Sequence, residues 1–274
     1  MEYYRQTTFG LGARFTPAVK VIIAANVLIY VLQHLAGPWF TVTFGMVPWA
    51  VLHRFAVWQL VTYMFLHGGV FHLLFNLFTL WMFGGEVEDT LGTRQFVRFY
   101  FLTGVGGAVF YLLFRSGSTV PVIGASAAIY GVLVAFAVLF PHRIVTLLLF
   151  LVIPVNLKAW QLAAVFVGIS VLFGVTGTAD GVAHLAHLGG ALVGYLLLTG
   201  RQHVERLQEE IELAQERKRR KAERKRQIAR EELQRQVDAI LDKINEVGYD
   251  NLTEEEKETL KRASKILAQH PGSS

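Results

Sequence analysis

The sequence predicts an all-α membrane protein, a bundle of six transmembrane helices followed by a soluble helical tail. Three observations predict it. Charge is partitioned: residues 1–200 hold 9 Lys/Arg and 5 Asp/Glu, whereas residues 201–274 hold 17 and 16. The first part is built for lipid and the last for water. Uncharged runs long enough to cross hydrocarbon recur between the few charges of the first part. The basic residues of that part gather on one face once six crossings are drawn. A soluble globular enzyme and a wholly disordered chain are both excluded. The absence of cysteine excludes disulfides, Cys-ligated zinc and thiol catalysis. A net charge of +5 makes no case for a nucleic-acid partner.

Residues 1–18 form a polar and aromatic N-terminal segment without the pattern of a cleavable signal peptide, so the first apolar run is expected to stay as an anchor. The domain over 19–200 carries spans at roughly 19–36, 70–90, 95–114, 124–140, 157–175 and 182–200. Residues 37–66 mix Trp39, Phe40, Trp49, Phe55 and Trp58 with Gly37, Pro38 and Pro48, the composition of a loop lying in the headgroup layer. Residues 144–153 are apolar but too short to span, and they end at Pro154. They read as an interfacial segment ahead of span five. An even span count puts both termini on one side. Arg5, Arg14, Lys20, Arg94, Arg98, Arg143, Lys158 and the basic tail collect there, against Arg54, Arg115 and Asp180 on the other. The termini are expected in the cytoplasm and the 37–66 loop outside.

Residues 201–247 lack Pro and Gly and read as a charged cytoplasmic helix, with eight basic residues between Arg217 and Arg226. That run is either a solvated face or a surface for anionic inner-leaflet lipids. Val237, Ile240, Leu241 and Ile244 form an apolar stripe, and Gly248 ends the helix. Over 248–274, a turn leads to a short helix opened by a capping box, Thr253 to Glu256, with Leu260, Ala263 and Leu267 on one face. This helical hairpin holds no catalytic residue and is a candidate for self-association or docking.

Ionisable and polar side chains inside spans are costly and mark function. Span two carries His72 and Asn76 in its first two turns, span four carries Ser126 near its start, and span six carries His184 and His187 in its first two turns. All three spans start on the outer side, so these groups share one depth. A hydroxyl near an imidazole fits nucleophilic hydrolysis, because the imidazole takes the hydroxyl proton near neutral pH. His72 and Asn76 are i and i+4 on one helix face, and each offers an N–H to a developing oxyanion. Ser126 follows Gly124-Ala125 at a helix start, where its own N–H is unpaired. No carboxylate lies at this depth, which favours a dyad over a triad.

Gly124-Ala125-Ser126-Ala127-Ala128-Ile129-Tyr130-Gly131 resembles the G-x-S-x motif of the rhomboid intramembrane serine proteases. Ala186-His187-Leu188-Gly189-Gly190, with Gly194, resembles their A-H-x-x-G-x-x-x-G motif on the sixth helix. His67 to Asn76 is similar to their H-x-x-x-N segment, and Gly84-Gly85 with Glu86-Val87-Glu88 and Leu91-Gly92 continues the likeness. It runs over about residues 16–200. The resemblance implies a rhomboid-like bundle in the cell (inner) membrane and a serine endopeptidase without cofactor or metal. Its substrates would be transmembrane segments of other membrane proteins, cleaved near the outer leaflet. It further implies that Ser126 is the nucleophile and His187 the base. His72, Asn76 and the Ser126 N–H would bind the oxyanion, Tyr130 would pack on His187, and His67 would be structural. The tail resembles a short C-terminal module of some bacterial rhomboids. Two positions depart from the family pattern: Ala127 stands where Gly is common, and Gln59 follows Trp58 where some members have Arg.

Simpler readings exist for each residue. Ser126 could be a small residue that permits close helix approach, and Asn76 interhelical hydrogen-bonding glue. Gly190 and Gly194 let span six approach its neighbour, as a Ser–His bond requires. His184 reads as interfacial, and Glu88 and Arg94 as structural charges capping helices two and three. The histidine pairs suggest metal, but no H-E-x-x-H and no acidic residue at that depth accompany them. The alternative function is a catalytically weak or inactive scaffold that binds client transmembrane helices, with Ala127 as its only support. A transporter requires charged or broken helices at the midplane, and none is seen.

Overall fold

A computed structural model describes residues 14–149, 153–176 and 183–268. The chain divides into two compact units, Met1–Gln202 and His203–Ser274. The first unit opens with α1 (Pro17–Ala36), then three short helices, α2 (Pro38–Phe44), α3 (Pro48–His53) and α4 (Gln59–Thr62). Two long helices follow, α5 (Val70–Leu91) and α6 (Thr93–Arg115), then α7 (Ser126–Leu139). A two-stranded hairpin, β1 (Ile144–Leu149) with β2 (Ile153–Lys158), leads to α8 (Ala159–Thr176) and α9 (His184–Val247). Among the described residues, α1, α5 and α6 are long and apolar enough to cross a membrane. Ser126–Leu139 and Ala159–Gly174 are shorter apolar helices.

Helix α7 is central. Nine of its 14 residues are buried, and it packs against α5, α6 and α8. In lipid, hydrocarbon burial does not drive helices together, so association relies on close packing of small residues. Gly131 meets the Thr103 side chain of α6, and Gly107 of α6 meets Ala127.

The 37–66 segment is organised by one side chain. Gln59, almost fully buried, accepts from the Val47 N–H at 2.9 Å and donates to the carbonyls of Val42 and Thr43 at 3.2 and 3.1 Å. Trp58 Nε1 also donates to the Thr43 carbonyl. Gln59 is thus the internal tie of three short helices that bury little of their own surface. Met46 pairs with Val122 through two backbone bonds of 2.9 and 2.8 Å, which fastens this segment to the strand-like residues before α7.

Two expectations are corrected, the start of span five and the role of Glu88. Residues 144–149 and 153–158 form a hairpin, with β1 and β2 paired antiparallel from Ile144↔Lys158 to Leu149↔Ile153. The alternation is hidden because one face carries Val145, Leu147, Val155 and Leu157, all at least half-buried, while the exposed face mixes Ile144 and Pro154 with Thr146, Asn156 and Lys158. Thr146 and Asn156 bond across the strands at 2.6 Å. Residues 157–158 belong to β2, so α8 starts later than span five was drawn. Glu88 caps α1 rather than helices two and three alone. It is buried, and it accepts from the Ala18 and Val19 N–H groups at 2.9 and 3.1 Å, from the Thr16 hydroxyl and from the Thr93 hydroxyl. An anion at an N-terminus satisfies orphan donors and complements the helix dipole. Helix α9 runs on past position 200. Gly200 lies inside it with open space around its Cα.

In the second unit, the end of α9 and α10 (Glu254–Ala268) form a hairpin. Val237, Ile240, Leu252 and Ala263 are buried there, whereas Leu241 is exposed; Leu267 lies where no side chain is described. The capping box is present, with Thr253 N–H to Glu256 at 2.7 Å and Glu256 N–H to Thr253 Oγ1 at 3.3 Å. Lys243 Nζ adds a 2.8 Å pair with Glu256. The Lys243 bond and the Thr253 N–H hold the Glu256 carboxyl below the usual carboxylate range. A depressed folded pKa contributes stability that is present above the unfolded value and lost as pH falls through the folded one. Glu256→Gln is therefore expected to speed amide exchange over 253–260 at pH 7, with variant and wild type converging as pH falls through the depressed carboxyl pKa.

Candidate active site

The N-terminal ends of α5, α7 and α9 meet at a cavity of about 1550 Å³. Ser126 is the first residue of α7, and its N–H has no intrahelical acceptor. His187 lies one turn into α9. Its Nε2 stands 2.7 Å from Ser126 Oγ, a distance fit for proton transfer. The Tyr130 ring, one turn after Ser126, stacks on the His187 ring with centroids 4.5 Å apart and planes at 16°. Tyr130 is fixed in turn by Ser170 of α8, whose hydroxyl lies 2.9 Å from the phenol oxygen. Ser170 is fully buried. The structure thus gathers Ser126, His187 and Tyr130 from three positions of the sequence.

His72 and Asn76 line the same cavity from the first two turns of α5. The Gly68 N–H donates to His72 Nδ1 at 3.3 Å, so Nδ1 keeps its lone pair and the proton sits on Nε2. That nitrogen borders Gly124, beside Ser126: a Cβ on Gly124 would come within 2.8 Å of His72 Nε2 and 3.6 Å of Ser126 Oγ. Gly124 also has φ +126°, a conformation L side chains rarely adopt. Glycine is thus required there twice, for backbone and for space. Asn76 is 3% exposed, and its Nδ2 has no hydrogen-bond partner among the described residues. Asn76 lines the cavity, and a buried amide donor without a partner beside a cavity points to a ligand acceptor.

His67 is buried outside this constellation. Gln33 of α1 grips its backbone, accepting from the His67 N–H at 3.0 Å and donating to its carbonyl at 3.1 Å. Its ring stands edge-on to His72 at 5.0 Å. His184 is 8% exposed, lines the cavity and lies edge-on to His187 at 5.8 Å between ring centroids. Among the described residues no group of three His, Asp or Glu gathers as a metal site would need.

Glycines set the Ser–His distance. A Cβ on Gly190 would land on the Ala127 carbonyl oxygen, and one on Gly194 would lie 2.8 Å from Gly131 Cα. The backbones of α7 and α9 are therefore in contact at both places. Ala127 is buried and lines no part of the cavity; a Cβ on Gly107 would meet its methyl at 2.6 Å. The methyl is housed by α6 and does not crowd the space over Ser126. Sequence reasoning missed Gln33, Gly107 and Ser170. Gln33 and Ser170 were visible as polar residues inside apolar runs, and Gly107 as half of a Gly-Gly pair in span three.

Gly190→Ala is expected to destabilise the protein by about 1–3 kcal/mol through overpacking against α7. Gly168→Ala in α8, where nothing lies within 4 Å, is expected to be neutral or stabilising by up to about 1 kcal/mol. Thermal unfolding of both variants in the same detergent checks the contrast.

A family model described as the rhomboid domain matches residues 54–201, more than half of the chain. A second, described only as a family of unknown function (DUF6576), matches residues 219–266. The chain is 34% identical over 143 residues to Rhomboid protein 1, mitochondrial, of Saccharomyces cerevisiae, covering 48% of this chain and 38% of that protein. It is 35% identical over 149 residues to RHOMBOID-like protein 1 of Arabidopsis thaliana, covering 54% and 35%. Rhomboid protease GlpG of Yersinia pestis is 25% identical over 194 residues, covering 71% and 65%. The chain thus spans about a third to two thirds of the length of these relatives. With the matched domain and the helices of the first unit described, the chain belongs to the rhomboid family, a membrane-embedded family that includes serine intramembrane proteases.

Proposed function

We propose that this protein is an intramembrane serine endopeptidase that cleaves transmembrane segments of other membrane proteins with a Ser126–His187 dyad. The observation that carries the reading is the 2.7 Å contact between Ser126 Oγ and His187 Nε2 inside a cavity that also holds the unpaired Asn76 amide. Six crossings are formed by α1, α5, α6, α7, α8 and the apolar first part of α9. Both termini and the charged tail face the cytoplasm of a cell with an inner membrane, and the 37–66 segment lies in the outer headgroup layer. The positive-inside distribution supports this orientation.

In this mechanism Ser126 Oγ attacks the substrate carbonyl carbon while His187 Nε2 takes the hydroxyl proton. The negative charge that develops on the carbonyl oxygen is met by Asn76 Nδ2–H, His72 Nε2–H and the Ser126 N–H at the positive end of α7. His187 then gives its proton to the departing amine, which leaves an acyl-serine. Water, deprotonated by His187, attacks the acyl carbon and releases the carboxylic acid and the free serine. Tyr130, held by Ser170, keeps the imidazole in plane through both steps. A peptide bond inside a helix is shielded and its carbonyl is occupied, so the substrate must unwind locally before attack. The scaffold alternative rests on Ala127, whose methyl packs against Gly107 away from the cavity, and no other observation favours it.

In proteoliposomes containing a panel of single-span substrates, Ser126→Ala and His187→Ala are expected to abolish cleavage and labelling by a fluorophosphonate. Asn76→Ala is expected to lower kcat about 100- to 1,000-fold, the loss typical of one oxyanion donor. Wild-type protein that unfolds cooperatively yet neither cuts nor labels would falsify the protease reading and leave the client-binding scaffold.

A further inference from the structure

The cavity is lined almost wholly by apolar and neutral groups, yet its rim carries one full charge. Arg115, the last residue of α6, is exposed and lines the cavity together with Ser118 and Val120 of the following turn. No Asp or Glu lines the cavity among the described residues. The first 200 residues hold only five acidic side chains. Three of them, Glu86, Glu88 and Asp89, sit at the far end of α5, away from the His72 end that borders the cavity. Arg54, also assigned to the outer side, is engaged over the Trp49 ring at 5.0 Å. No ion pair of Arg115 is found among the described residues.

The backbone that carries Arg115 into the rim is fixed. Ser118 N–H donates to the Arg115 carbonyl at 3.0 Å, and the Ser118 carbonyl accepts from the Trp49 N–H at 3.0 Å. Val122 is bonded twice to Met46, and the Gly124 N–H donates to the Tyr63 carbonyl at 2.9 Å. A short, pinned turn therefore runs from the guanidinium to the nucleophile, only eleven residues further along the chain. Arg115 and Ser126 line one cavity, so a substrate segment that fills it meets both. A guanidinium there attracts a carboxylate and repels an ammonium, and it forms two parallel bonds with a carboxylate more readily than a lysine could.

We propose that Arg115 is a specificity-determining residue that selects substrates with an acidic side chain on the outer flank of the scissile bond. The selection rests on the protease reading above and deepens it by naming a substrate class. Phosphate of an anionic lipid headgroup offers the same anionic chemistry, and the test separates the two sources.

Single-span substrates carrying Asp, Asn or Lys at successive positions on the outer flank are reconstituted with the full chain in phosphatidylcholine vesicles, with and without phosphatidylglycerol. At one flank position the wild type is expected to cleave the Asp substrate about two- to fivefold faster than Asn, as kcat/KM, with Lys slower still. The ratio shrinks at 1 M salt. Arg115→Gln flattens the Asp-to-Lys ratio and Arg115→Glu inverts it. Photocrosslinking of the same substrates to Ser126→Ala reads the preference without cleavage, so loss of activity does not hide it. An unchanged order of substrates in Arg115→Glu overturns the proposal while leaving the protease intact. So does an Arg115 effect that is equal for all three substrates and confined to phosphatidylglycerol vesicles, which assigns the residue to lipid.

Discussion

The contact of two helix backbones underlies the whole site. Where Gly190 lies on the Ala127 carbonyl and Gly194 on Gly131, no side chain separates α9 from α7. Only at that separation does the imidazole of His187 reach the hydroxyl of Ser126. Hydrocarbon supplies no driving force for this approach, so the fit of small residues has to supply it. The glycines lie just beyond the base and the alanine just beyond the nucleophile, so the packing contact and the chemical contact are adjacent turns of the same pair of helices. Their adjacency explains why a residue that merely matches a small-residue pattern is inseparable here from one that does chemistry.

The second determinant is polarity left unused. Most buried polar groups of this molecule are satisfied: Gln59 makes three bonds, Glu88 four, Gln33 grips both ends of the His67 peptide. Asn76 Nδ2, like Trp81 Nε1, has no hydrogen-bond partner among the described residues, and of the two only Asn76 lines the cavity. Such a group costs roughly 1–3 kcal/mol while it waits. A carbonyl oxygen that gains negative charge is the partner that removes this cost most fully, so the donor favours the charged intermediate over the neutral substrate.

The long elements were legible in the sequence because charge is excluded from them over lengths set by the bilayer. Glu86, Arg94 and Arg115 mark the ends of α5 and α6 directly. The residues of the candidate site were legible because polar groups inside apolar runs are rare, and Ser126, His187, His72 and Asn76, expected at one depth, line one cavity. Features fixed by packing between distant segments were not legible. The β1–β2 hairpin hides its alternation, since Ile144 and Pro154 on the exposed face are as apolar as Val145 and Leu157 on the inner one. Nothing in the run around Glu88 says that its carboxylate reaches back about seventy residues to α1. Ala127 looked like a defect because its compensation, Gly107, lies on another helix. Ser170 read as an ordinary small residue, as its value depends on where the Tyr130 phenol ends.

The carboxylate of Glu88 has a consequence for how the protein assembles. It closes the first turn of α1, lies near the end of α5, and takes the hydroxyl of the residue that starts α6. Helix α1 therefore lacks its cap until some seventy later residues have been made. Its N-terminal amides must find other partners in the interval, and the end of α1 is completed by a part of the chain synthesised well after it.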